Sequence, residues 1–163
     1  MFKVDESKKY ILYPPEFKRL SQVGDETYML YFGQLSPVYY ISECMSAYRR
    51  GVEGSWNSKN LQSIDGDRLA KYQKSMVDTF RAFDEYTNHK YHDIMVPRIA
   101  SVMIRYTLLT RSSKDMLKKE NREYFKVLSR SKKISLIIAA VFPRTALNAY
   151  KRRQNKLYKR KGY

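Results

Sequence analysis

Residues 24–56 read GDETYMLYFGQLSPVYYISECMSAYRRGVEGSW, and they decide the fold expected of the chain. Gly24-Asp25 opens a helix signal, because an aspartate at the N-cap accepts hydrogen bonds from the free amides of the first turn. Tyr28, Met29, Tyr31, Phe32 and Leu35 follow at helical spacing. Gly33 or Ser36-Pro37 then supplies a stop. Val38-Tyr39-Tyr40-Ile41 is a β-rich run, and Met45, Ala47 and Tyr48 extend a second short β segment past the Ser42-Glu43 corner. Residues 51–65 are turn formers and contain the only tryptophan, Trp56.

Upstream, residues 1–4 read as the end of a strand and DESKKY as a polar turn. Pro14-Pro15 breaks any helix and forces an extended approach. A short helical turn from Glu16 to Leu20 follows. Downstream, Leu69, Tyr72, Met76, Phe80 and Phe83 form one apolar stripe from Asp67 onward, with Asp65 or Asp67 as its cap. The pattern weakens at Thr87-Asn88-His89. A second helix runs from about Pro97 to Thr110, with the proline in its first turn. Ser112-Ser113 caps a third helix, and a fourth stretch covers Lys133 to Phe142, breaks at Pro143 and resumes to about Tyr158. The expected class is α+β, mainly helical: short strands and one helix over 1–62, a helical extension over 63–150, and a basic tail over 151–163.

The chain has 163 residues, enough for one domain or part of a larger one. Its net charge of +16 attracts phosphate groups, whether on nucleic acid, anionic lipid or a nucleotide-linked substrate. Fifteen tyrosines suit half-buried surfaces and interfaces. Cys44 is alone, which excludes an internal disulfide framework and a thiolate zinc site. The N-terminus lacks the apolar core of a signal peptide, and the apolar run Ile134 to Phe142 is too short to span a bilayer. A soluble or peripheral cytoplasmic protein is expected.

Phosphate loops of the GxGxxG or GxxxxGK[ST] kind are absent, as are GxSxG, HExxH and paired CxxC. Four other features carry chemistry. Asp25, beside Glu26, is either a plain cap or a general base at a cleft edge. Arg49 and Arg50, beside a glycine-bearing turn, offer planar forks suited to diphosphate. The competing reading makes one a solvated charge and pairs the other with Glu43 or Glu53. His89 and His92, with Asp93 adjacent, offer a metal site, but two histidines without a third ligand at clear spacing read first as surface or interhelix residues. From Ser131 onward there are ten Lys or Arg and no acid. An apolar segment followed by a cationic one suits an interfacial helix on an anionic membrane, with nucleic acid as the alternative.

The ordered series Gly24-Asp25, Val38 to Ile41, Glu43-Cys44-Met45-Ser46-Ala47-Tyr48-Arg49 and Gly54-Ser55-Trp56 resembles the distal part of the family 2 glycosyltransferase domain, the GT-A type of bacterial polysaccharide synthesis. The match covers about residues 1–60. The resemblance implies that Asp25 is the base that deprotonates an acceptor hydroxyl attacking the anomeric carbon of a nucleotide-sugar. It also implies that Glu26, Arg49, Arg50, Gly54, Ser55 and Trp56 lie over the diphosphate or the acceptor, which is lipid-linked or a glycan. The complete enzyme would carry a divalent cation, Mg or Mn. Where many relatives place a metal-holding histidine after the tyrosine-arginine pair, this chain has Gly51, and no β-α-β unit or Asp-x-Asp precedes Gly24. The expectation is an acceptor-side fragment, inactive alone and binding no cofactor by itself, with peripheral membrane contact through its basic C-terminus. The alternative is a non-catalytic basic helical module that binds nucleic acid or anionic membrane.

Overall fold

A computed structural model describes residues 4–37, 39, 42–43 and 66–160. Among these the chain is helical and holds no strand, which overturns the α+β, GT-A-like class. Residue 4 already belongs to α1 (Val4–Leu12), whose polar sequence had suggested a turn. Lys and Glu are good helix formers, Asp5 and Glu6 sit favourably in the first turn, and fully buried Tyr10 anchors the helix. Of the β-rich run only Tyr39 and the Ser42-Glu43 corner are described, none of them in a strand. Val38, Tyr40, Ile41, Met45, Ala47 and Tyr48 lie outside the described residues.

Pro14-Pro15 ends α1 as its lost amide requires, and α2 (Glu16–Leu20) follows. Helix α3 (Gly24–Leu35) starts and stops where the sequence places it, running through Gly33 to Ser36. Its cap is Val23 and not Asp25, with no side-chain cap bond. Ser21 instead turns the approach, its hydroxyl accepting from the Val23 amide at 3.0 Å.

The centre is the hairpin of α4 (Gly66–Tyr86) and α5 (His92–Leu109). Helix α4 buries Gln73, Met76, Val77, Phe80, Phe83 and Asp84, the i, i+3, i+4 rows of one face. Helix α5 begins five residues before Pro97, so the proline is internal and not in the first turn. It is exposed, on the side where the carbonyl it frees meets water. The third expected helix breaks into two 3-10 turns, Ser113–Leu117 and Lys119–Asn121, and α6 (Arg122–Lys126). Arg81 of α4 ties them down, reaching the Tyr124 hydroxyl at 3.3 Å and Asn121 Oδ1 at 3.4 Å. Helices α7 (Arg130–Val141) and α8 (Pro143–Arg160) close the described chain.

At the other end, Tyr10 packs on Tyr28 and Tyr31 with ring centroids 4.5 and 4.8 Å apart. Its hydroxyl donates to Thr27 Oγ1 at 2.7 Å, and Thr27 donates to the Gly24 carbonyl at 2.9 Å. This relay fixes the start of α3 against α1. Thr27→Val keeps the shape but removes the acceptor, leaving a buried phenol without its partner. A loss of about 1–3 kcal/mol is expected in urea unfolding, and Tyr10→Phe in the Thr27→Val background should recover part of it.

Candidate functional site

The first turn of α3 meets α5 through charged side chains. Asp25 is exposed, and its Oδ1 accepts from the Glu26 amide at 2.8 Å. Glu26 is engaged elsewhere: its Oε1 accepts from Arg98 Nη2 of α5. The Arg98 guanidinium lies 4.7 Å from the centre of the Phe80 ring, so it stacks on the core while pairing with the acid. Tyr72 of α4 completes the group. Burial first, then the Glu26 charge, pushes its phenol above the ordinary value; Arg105 opposes the rise and Asp25 adds to it. A neutral hydroxyl therefore stands near the acidic pair.

The two acids named from sequence thus separate in role. Glu26 fixes α3 to α5, and Asp25 makes no ion pair among the described residues. Arg49, Arg50, Gly54, Ser55 and Trp56 lie outside the described residues. Sequence reading missed Arg98, because it meets Glu26 only through tertiary packing. Tyr72 was legible as a stripe residue of α4, and Arg98 carried no local signal. One Asp-x-Asp triplet does occur, Asp65-Gly66-Asp67, downstream of the acidic motif. Asp65 is outside the described residues and Asp67 is exposed at the start of α4.

A second cluster forms where α4 turns into α5. Asn88 and His89 adopt positive φ, 51° and 60°, and the His89 amide bonds back to the Asp84 carbonyl at 2.8 Å. This left-handed turn folds the His89 ring over the end of α4. His89 Nδ1 and His92 Nδ1 then lie 2.9 and 2.7 Å from the same atom, Asp84 Oδ2. A carboxylate only accepts, so both rings carry their proton on Nδ1. His92 Nε2 faces Glu123 Oε2 at 3.5 Å. Burial pushes the Asp84 carboxyl up, but the hydrogen bonds from His92 and His89 outweigh it and hold the group below its ordinary value. The bond to Asp84, against some desolvation and with help from Glu123 and Asp93, raises His92.

The acid partner is therefore Asp84, not the neighbouring Asp93. Asp84 sits on the buried face of the α4 stripe, a polar residue at a core position, and that signal was present in the sequence. Asp84, His89 and His92 each offer a ligand atom, all within 4.8 Å of one another. Two nitrogens and one oxygen suit zinc-class ions, whereas Mg and Mn favour oxygen sets. Asp84 is also twelve residues beyond Tyr72 on α4, about 18 Å along the helix. The cluster does not fit the Mg or Mn expected of the complete enzyme.

The pH response follows from the two shifts. Asp84, lowered, stabilises the fold above about pH 4, and that contribution fades as the carboxyl protonates. His92, raised, stabilises the fold fully below about pH 6.5, and its contribution fades as pH rises through the raised value. Both act together between these limits. With chelator present, His92→Gln should cost more near pH 5.5 than at pH 8.5, by roughly 1 kcal/mol or less, since the ring is half exposed. Urea midpoints at the two pH values check this, and an equal cost at both would refute it.

Comparison of the chain with protein-family models, with curated proteins and with solved structures finds no match.

Proposed function

We propose that this chain is the acceptor-side part of a family 2 glycosyltransferase, one that moves a sugar from a nucleotide-sugar to a lipid-linked or polysaccharide acceptor. The observation that supports it most is the division of labour at α3. Glu26 is held by Arg98, while Asp25 stands exposed in the first helical turn with Oδ2 free of any partner among the described residues. That is the disposition a general base needs: a fixed backbone, an open carboxylate oxygen, and no cation competing for it. The reading draws on motif order and on this side chain. It does not draw on a strand architecture, which the described residues lack.

In the proposed reaction Asp25 Oδ2 takes the proton from the acceptor hydroxyl as that oxygen attacks the anomeric carbon. The bond from that carbon to the nucleoside diphosphate breaks, and the diphosphate leaves with the electron pair. Arg49 and Arg50 are assigned to the developing phosphate charge, and Gly54, Ser55 and Trp56 to the loop covering it, on motif order alone. Arg98 acts as a positioning residue, through Glu26 and the start of α3.

Nucleoside diphosphate release from a panel of nucleotide-sugars tests the assignment. The 163-residue chain alone should release none above background, and joined to a nucleotide-sugar-binding half it should turn over. Transfer or hydrolysis by the isolated chain would contradict the acceptor-side reading, as would an assembled polypeptide that binds no nucleotide-sugar.

A further inference from the structure

We infer that the outer face of α7 is a docking surface for an anionic lipid bilayer. Helix α7 is apolar on two sides. Its inner side buries Leu136, Ala139 and Ala140 against the rest of the fold. Its outer side carries Ile134, Ile137, Ile138 and Val141, with Phe142 just past its end, all between 47 and 62% exposed. These positions are i, i+3, i+4, i+7 and i+8, the spacing of a helix face that ordinarily enters a core. Here that face meets solvent. Leu117, also exposed, continues it across a groove of about 540 Å³ lined by Lys114, Leu117, Lys118, Ile137, Ala140 and Val141.

Charge selects the occupant. Lys114 stands on the groove beside the ridge, Lys118 lines it while pairing with Asp115 at 2.8 Å, Arg130 and Lys132 are exposed in the first turn of α7, and α8 begins immediately after Phe142. No acidic residue follows Glu123. Nucleic acid would use the cations and leave five large apolar side chains in water. A second copy would bring two chains of net charge +16 together, which mutual repulsion disfavours. An anionic bilayer satisfies both parts at once: the ridge enters the boundary between headgroups and acyl chains, and the cations meet lipid phosphates. Helix α7 has twelve residues, about 18 Å, against about 30 Å of hydrocarbon. No helix among the described residues is long and apolar enough to cross a membrane. The surface therefore lies on the bilayer. This inference is independent of the transfer reaction.

The test is co-sedimentation of the 163-residue chain with vesicles of phosphatidylcholine alone or mixed with phosphatidylglycerol. Binding to the mixed vesicles should exceed binding to neutral ones by about tenfold or more and fall with salt. The double variant Ile138→Glu/Val141→Glu should bind them about thirtyfold more weakly or worse. Its helical circular dichroism and melting temperature should match the parent, because both positions are exposed. Replacing Lys114, on the groove, and Arg130, one turn before Ile134, with Gln should weaken binding in the same direction with the ridge intact. Wild-type binding by the double variant would overturn the proposal, as would failure of the parent to bind anionic vesicles. Three further results would also overturn it by giving the ridge another occupant: dimerisation that the glutamates abolish, duplex nucleic-acid binding in place of vesicle binding, or a lowered melting temperature of the double variant without lipid. The last would mean that the chain's own residues cover the face.

Discussion

Phe17→Ala should remove about 3–5 kcal/mol of folding stability, a large part of the 5–15 kcal/mol typical of a domain. Phe17 is fully buried, although it sits on a helix of only five residues. Its ring meets Phe83 edge-on at 5.3 Å and Tyr86 at the same distance, so this side chain anchors α2 on α4. Polar ties add to it: Ser75 Oγ donates to the Leu20 carbonyl at 2.8 Å and accepts from the Gln22 amide at 3.2 Å. A five-residue helix has no independent stability. Truncating the ring therefore leaves a cavity beside α4 and also frees the segment that carries α1 and the entry to α3. Urea unfolding gives the magnitude. Trypsin gives the location, since cleavage after Lys18 and Arg19 should accelerate far more than cleavage in α4 or α5. A loss below about 1 kcal/mol would show that α2 is not held by this contact.

How much of this was legible depends on where the determining contacts lie. The α4 stripe could be read outright, because the spacing of Tyr72, Met76, Phe80 and Phe83 is itself the cause of the buried face. The same spacing places Asp84 inward, and the turn at Thr87-Asn88-His89 was visible as a weakened pattern. The ion pair that holds Glu26 was not visible, because Arg98 lies 72 residues away and reaches it only after α4 and α5 have packed. Helix α1 was misread for a related reason: its polar residues looked like a turn, while the residue that fixes it, Tyr10, bonds to Thr27 seventeen residues on. Pro97 was placed as a helix start because proline is tolerated there. An exposed proline is also tolerated inside a helix whose far side is buried, and Met95, Val96, Ile99 and Ala100 bury that side.

The basic C-terminal part was legible as composition but not as geometry. Ten cations and a run of apolar residues suggested an interface, whereas the stripe Ile134, Ile137, Ile138, Val141 turned to solvent emerges only once Leu136, Ala139 and Ala140 are seen to fill the inner side. For the acidic motif, sequence left Asp25 between cap and base. The structure assigns the cap position to Val23 and leaves the Asp25 carboxylate exposed in the first turn. This bears on chemistry, because a side chain that is not capping its helix can be changed without unravelling it.

Asp25→Asn is therefore the most informative substitution for the proposed transfer. Asparagine keeps the size of the side chain and an oxygen that can still accept from the Glu26 amide, so the fold should hold to within about 0.5 kcal/mol, as expected for an exposed position. It cannot take a proton from an acceptor hydroxyl. In the assembled transferase kcat should fall by about 10²–10⁴-fold, the usual contribution of a positioned general base. The KM for the nucleotide-sugar should stay near the parent value, because Asp25 is assigned to the acceptor side. Glu26→Gln is the internal comparison: it weakens the pair with Arg98, so it should lower stability more than kcat. Steady-state release of nucleoside diphosphate by these two variants, side by side, is the direct measurement. Activity should collapse in Asp25→Asn and largely survive in Glu26→Gln. A parental kcat in Asp25→Asn would contradict it.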